Sequence, residues 1–134
     1  MKEFAVVEWQ RAASALEAAR KMADMDPDSA ASRAYYAAFH AVTALFAVRG
    51  QSFSKHSALR AALHRDLIRS GEWSTELGED FELLSSLRHR GDYGGMLRVS
   101  KNSAQLSLQS AASIIDAVRR TCPELDQGSS DSAK

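Results

Sequence analysis

The segment from Pro27 to Val48 constrains the fold more than any other part of the chain. Ala34, Ala38, Ala41, Leu45 and Val48 recur at helical spacing, with Tyr35, Phe39, Val42 and Phe46 running beside them. Two adjacent apolar stripes need neighbours on more than one side, and the alanines let those neighbours approach closely. The segment therefore predicts the central helix of a bundle. Asp26 caps its free amides, Pro27 takes the first helical position, and Gly50 stops it.

The other segments carry the same period, and no alternating strand pattern persists. Ala5, Trp9, Ala12, Leu16, Ala19 and Ala23 predict a first helix from about Lys2 to Ala23. It ends before Asp26-Pro27, because a residue preceding proline avoids helical angles. A third helix is expected from Lys55 to Ser70, with Ser54 as its cap and Gly71 as its stop. A fourth runs from Ser74 or Thr75 to about Arg90 and buries Leu77, Phe81, Leu84 and Leu87. A fifth runs from about Val99 to Thr121, buries Ala104, Leu108, Ala111, Ile115 and Val118, and is closed by Pro123. Short connections between long helices predict an all-α, up-and-down antiparallel bundle of about five helices. Residues 1–122 form that bundle in this reading, and residues 123–134 form a disordered polar tail.

Composition narrows the function classes. A chain of 134 residues suits one domain with a sizeable core. Its single cysteine, Cys122, allows no internal disulfide, and Met1-Lys2-Glu3-Phe4 is not expected to open a signal peptide. The expectation is a cytoplasmic protein with no membrane span. The phosphate-loop, dinucleotide and nucleophile-elbow glycine patterns are absent, and His40, His56, His64 and His89 lack metal-ligand spacing. No metal, nucleotide cofactor or serine triad is expected.

Formal net charge is zero, but the charges are zoned. Residues 33–69 hold six bases and one acid, residues 71–85 hold five acids and no base, and residues 86–101 return to a net +3. Such zoning either builds a cationic face or is neutralised between neighbouring helices. Three clusters carry the candidate chemistry. Arg33, Tyr36 and His40 share a face of the second helix and suit a phosphodiester. Lys55 and His56 open the third helix, where side chains and free amides suit an anion. Arg88, His89, Arg90, Asp92 and Tyr93 close the fourth, with Arg88 and Asp92 spaced to pair if the helix reaches that far.

The run Ala31-Ser32-Arg33-Ala34-Tyr35-Tyr36-Ala37-Ala38-Phe39-His40-Ala41 resembles the second helix of HEPN-domain proteins, in their short stand-alone prokaryotic branch. Ser54-Lys55-His56-Ser57, Leu67-Ile68-Arg69-Ser70-Gly71 and Leu87-Arg88-x-x-x-Asp92-Tyr93 extend the likeness in order, over about residues 1–120. The resemblance implies a helical bundle that pairs as a homodimer, is encoded beside a minimal nucleotidyltransferase, and serves as the toxin half of a toxin–antitoxin pair. Active members are metal-independent ribonucleases whose signature is an arginine followed, after four to six residues, by a histidine late in the bundle. Here the positions after Arg88 and Arg90 hold Asp92, Tyr93, Gly94, Gly95 and Met96, and no histidine.

The leading expectation is thus a HEPN-like, homodimeric module that binds a nucleotidyltransferase partner, a nucleotide or RNA. Its binding residues are Arg33, Tyr36, His40, Lys55, His56, Arg88, Asp92 and Tyr93. Two alternatives stay open. One is a ribonuclease toxin with His40 or His56 as general base and Arg33 or Arg88 stabilising the transition state. The other is a structural adaptor whose alanine-rich second helix packs against another protein.

Overall fold

The computed structural model describes residues 2–96 and 98–127. Among the described residues, the main helical stretches are, in order, α1 (Lys2–Met22), α2 (Pro27–Val48), α3 (His56–Ala62, continuing as a π-helical turn over Leu63–Ile68), α4 (Thr75–Tyr93) and α5 (Lys101–Thr121). No strand occurs among the described residues.

Helix α2 is the central element. Ala30, Ala31, Ala34, Ala37, Ala38, Ala41, Ala44 and Ala47 are all fully buried. Its alanine-rich face is therefore covered by the chain's own helices and is not open to another protein, which removes the surface the adaptor reading needed. Asp26 caps α2 by accepting from the Ser29 amide at 3.2 Å. Glu8 of α1 meets His40 of α2, and Tyr35 of α2 meets both Phe81 and Arg88 of α4. Asp80 of α4 accepts from Ser110 of α5, and Trp73, just before α4, donates to Thr121 at the far end of α5. These pairs place consecutive long helices antiparallel, so the bundle runs up and down.

Three details depart from the sequence reading. The cap of α3 is Lys55, with no side-chain bond to the helix, and Ser54 plays no capping role. The second half of the third helix is wider than an α-helix: the Arg69 amide donates to the His64 carbonyl at 2.9 Å, five residues back. Helix α4 does not break at Gly91 but continues to Tyr93. Gly91 lies against the backbone of Asp28, where an added Cβ would sit 2.9 Å from the Asp28 carbonyl oxygen, so a tertiary contact carries the helix through its glycine.

The first part of the expected tail packs on the bundle. Leu125 is buried in the core, and Asp126 accepts from Trp9 Nε1 at 3.0 Å and from Arg119 Nε at 2.7 Å. An apolar residue within reach of the α1–α5 seam gains from burial, so order extends past Pro123. Residues 128–134 of the predicted tail lie outside the described residues. No helix among the described residues is long and apolar enough to cross a membrane.

Candidate functional site

Helix α2 presents consecutive tyrosines to two surroundings. Tyr35 points into the bundle and is 2 % exposed, while Tyr36 is half-buried at the surface. Phe39, one turn on, completes a platform of rings on which His56 of α3 rests. The imidazole centroid lies 4.5 Å from Phe39, 5.7 Å from Tyr36 and 5.8 Å from Tyr35. The Tyr35 hydroxyl approaches His56 Nδ1 at 3.4 Å, a long contact for such a pair.

Arg88 of α4 reaches the same platform. Its guanidinium carbon stands 4.7 Å from the Tyr35 ring centroid, within cation–π range. Nη1 lies 3.6 Å from Asp92 Oδ2, one turn along the helix. Nε is buried and has no hydrogen-bond partner among the described residues. An unsatisfied N–H on a charged group is costly to bury, so this cation is positioned without being fully matched.

The electrostatics follow from the packing. Burial against the rings, together with the electrostatic influence of nearby Arg88 and then His40, lowers the His56 pKa below the ordinary histidine value. The neutral imidazole is therefore favoured. Burial raises the Tyr35 phenol, against the opposing pull of Arg88.

The predicted residues divide. Tyr36, His40, His56 and Arg88 come together around Tyr35 and Phe39, and Asp92 joins them through Arg88. Arg33 lies at the end of an adjoining groove between α1 and α2 that it shares with Tyr36 and His40. Lys55 is exposed beside His56, and its side chain makes no hydrogen bond or ion pair among the described residues. Tyr93 is 69 % exposed and packs against His89, with centroids 5.2 Å apart, away from the platform.

Charge zoning resolves in part into neutralisation. Arg60 and His64 both bind Glu82, with Arg60 Nε at 2.8 Å and His64 Nε2 at 2.8 Å, and Arg49 Nη1 binds Glu72 at 2.9 Å. Burial pushes the Glu82 carboxyl up, but the bonds from Arg60 and His64 outweigh it and hold the pKa low. No group of three or more histidine, cysteine, aspartate or glutamate side chains with metal-binding geometry occurs among the described residues.

The HEPN domain model matches residues 6–121. The chain belongs to the HEPN-domain family. It is 34 % identical over 97 residues to a UPF0332 protein of Thermotoga maritima, covering 72 % of this chain and 74 % of that one. It is 28 % identical over 100 residues to a Methanocaldococcus jannaschii protein described as a "putative toxin", covering 74 % of this chain and 68 % of the other. In fold it is similar to TT1696 from Thermus thermophilus, with a TM-score of 0.73 at 22 % identity over 87 % of this chain and 96 % of that one.

Two participants in this HEPN domain escape a reading of the sequence. Tyr35 looks like one more member of an apolar stripe, yet it holds both Arg88 and His56. Glu8 is a buried acid, 5 % exposed, whose Oε1 lies 3.1 Å from His40 Nδ1. Its signal was available: an acid between Ala5 and Ala12, beside Trp9, falls on the face of α1 that the bundle buries.

Proposed function

We propose that this HEPN domain binds a nucleotide or single-stranded RNA across the α2–α3–α4 platform, acting as a homodimer that engages a minimal nucleotidyltransferase partner. One observation carries the reading. Arg88 is held on Tyr35, beside a predominantly neutral His56, with one buried N–H lacking an acceptor. A positioned cation next to ring faces suits a ligand that combines phosphate with a stackable base. Arg33 and Lys55 extend the cationic surface from the platform's flanks. The toxin description of the archaeal relative agrees with a toxin–antitoxin setting.

The ribonuclease reading keeps one specific support: a neutral His56 beside Arg88 is the pairing a general base and a transition-state cation would need. A single titration separates the readings. Labelled single-stranded RNA is followed by fluorescence anisotropy across a salt series with chelator present, and its integrity is read on a gel. The binding reading expects intact RNA, an affinity that falls with salt, and a loss of about tenfold in Arg88→Ala. Cleavage that disappears in His56→Ala or His40→Ala would replace it with the ribonuclease. Absence of both binding and cleavage would overturn the nucleic-acid reading altogether.

A further inference from the structure

Beside the ring platform, helices α1 and α2 enclose an open groove of about 600 Å³. Its polar lining comprises Arg11, Ser14, Ser32, Arg33, Tyr36 and His40, together with one glutamine, and no acidic side chain lines it. The acid that belongs to this region, Glu8, lies beneath the groove with its side chain 6 % exposed. There it accepts from Arg11 Nη1 on Oε2 at 3.1 Å and from His40 Nδ1 on Oε1 at 3.1 Å. We propose that this groove is a phosphate-binding subsite, with Glu8 acting as a positioning residue for His40 and Arg11.

The chemistry follows from the inventory of donors. A carboxylate offers only acceptors, so a histidine nitrogen facing it must carry the proton. Glu8 thereby fixes the imidazole with Nδ1–H turned toward α1. Nε2 is left without a partner among the described residues, on a ring that lines the groove and is 23 % exposed. Arg11 spends one nitrogen on Glu8 and, at 62 % exposure, keeps its remaining N–H groups open to the groove. Arg33 is exposed and forms no ion pair among the described residues. Two guanidinium groups, a phenol and two hydroxyls outnumber what the two oxygens of a carboxylate would satisfy, while His40 Nε2 can accept from a protonated phosphate oxygen. The tetrahedral set of oxygens on a phosphate matches them better.

Tyr36 and His40 tie the groove to the platform. Tyr36 lines the groove, and its ring stands 5.7 Å from His56 and 6.3 Å from His40. A phosphate in the groove thus lies one ring away from the stacking surface, which is how a nucleotide separates its phosphate from its base. In that respect the inference rests on the nucleotide or RNA reading, but the groove itself is tested independently.

The test adds inorganic phosphate, then a nucleoside monophosphate, then single-stranded RNA, to the protein while long-range ¹H–¹⁵N spectra follow the histidine rings. The free protein is expected to show His40 with its proton on Nδ1, and phosphate is expected to move the Nε2 resonance. Arg33→Ala is expected to weaken inorganic phosphate binding about tenfold. Glu8→Gln is expected to disturb the His40 tautomer and weaken phosphate while circular dichroism stays unchanged, and Arg60→Ala is expected to change nothing. Arg33→Ala replaces an exposed residue without an ion-pair partner among the described residues, so it remains informative if the Glu8 variant misfolds. An unmoved His40 together with undiminished phosphate affinity in Arg33→Ala would overturn the subsite. RNA binding that depends on Arg33 but not on Arg88 would keep the groove and reject the platform, and dependence on Arg88 alone would do the reverse. Comparing RNA with and without a 5′-phosphate then assigns the groove to a terminal monoester or an internal diester.

Discussion

Arg88 and Arg60 lie on neighbouring helices, each within a cationic stretch of the sequence, yet their surroundings differ. Arg60 of α3 makes a two-pronged bond to Glu82, which also takes His64, so an arginine and a histidine share one acid on a solvated surface. Arg88 of α4 is 19 % exposed, rests on a ring, meets Asp92 only at 3.6 Å and keeps one buried N–H unmatched. The contrast teaches that a count of charges says little about where a site lies. What distinguishes the platform is an arginine whose position is fixed by packing while its hydrogen-bonding capacity stays incompletely used.

Removing the platform tests that contrast most severely. Tyr35→Ala deletes a buried ring beneath both Arg88 and His56 and is expected to cost about 3–5 kcal/mol in denaturant unfolding. Tyr35→Phe keeps the ring and gives up only the long 3.4 Å contact to His56, so it should lie within about 1 kcal/mol of the parent. Equal losses in the two variants would mean that the hydroxyl, and not the ring, organises the site.

The next effect is on binding. Arg88→Ala should lower RNA affinity about tenfold, whereas Arg60→Ala should change it less than about twofold, because Glu82 already engages Arg60. Similar losses would show that both arginines act only through general charge.

Smaller effects come from pH. His56 has a lowered pKa in the folded state, so the unfolded chain binds its proton more readily. Its contribution is complete above the unfolded value of 6.5 and is lost as pH falls below it. Glu82 is also lowered, and its contribution is lost in a more acidic window, as pH falls below 4.5 through the folded value. Stability measured against pH should therefore decline in two stages, with His56→Phe removing the upper one and Glu82→Gln reducing the lower one, to which Asp26, Asp66 and Glu72 also contribute. A single step that both variants shift equally would mean the two regions are electrostatically coupled. The smallest change is expected from Arg65→Ala, whose exposed pairing with the adjacent Asp66 should leave thermal unfolding almost unmoved.

The bundle was largely legible in the sequence because its signals are local and periodic. The stripes of Ala34 and Tyr35 and the Asp26 cap each act within a few residues. Two of the departures come from tertiary contacts. Gly91 reads as a break until Asp28 is placed against it, and Leu125 reads as tail until α1 and α5 meet. The π-helical turn reflects a choice between carbonyl partners that residue types do not reveal.

Legibility of the site follows the same division. Spacing on α2 was enough to align Arg33, Tyr36 and His40. Which cations find an acid depends on interhelical distance, so the fates of Arg60 and Arg88 could not be separated in advance. Tyr93, next to Asp92 in the chain, faces outward because α4 continues through Gly91 and turns it away.

The meeting of Gly91 and Asp28 has a consequence for kinetics. Main chain lies against main chain there, and Asp28 also holds the Val99 amide at 2.8 Å and Arg98 at 3.0 Å. Three segments are riveted at a corner less than one helical turn from Arg88. The disorder such a corner could have kept is lost during folding, before any encounter with a ligand. An arriving molecule meets a surface already shaped, and association should proceed in one kinetic phase, with no slow rearrangement following first contact.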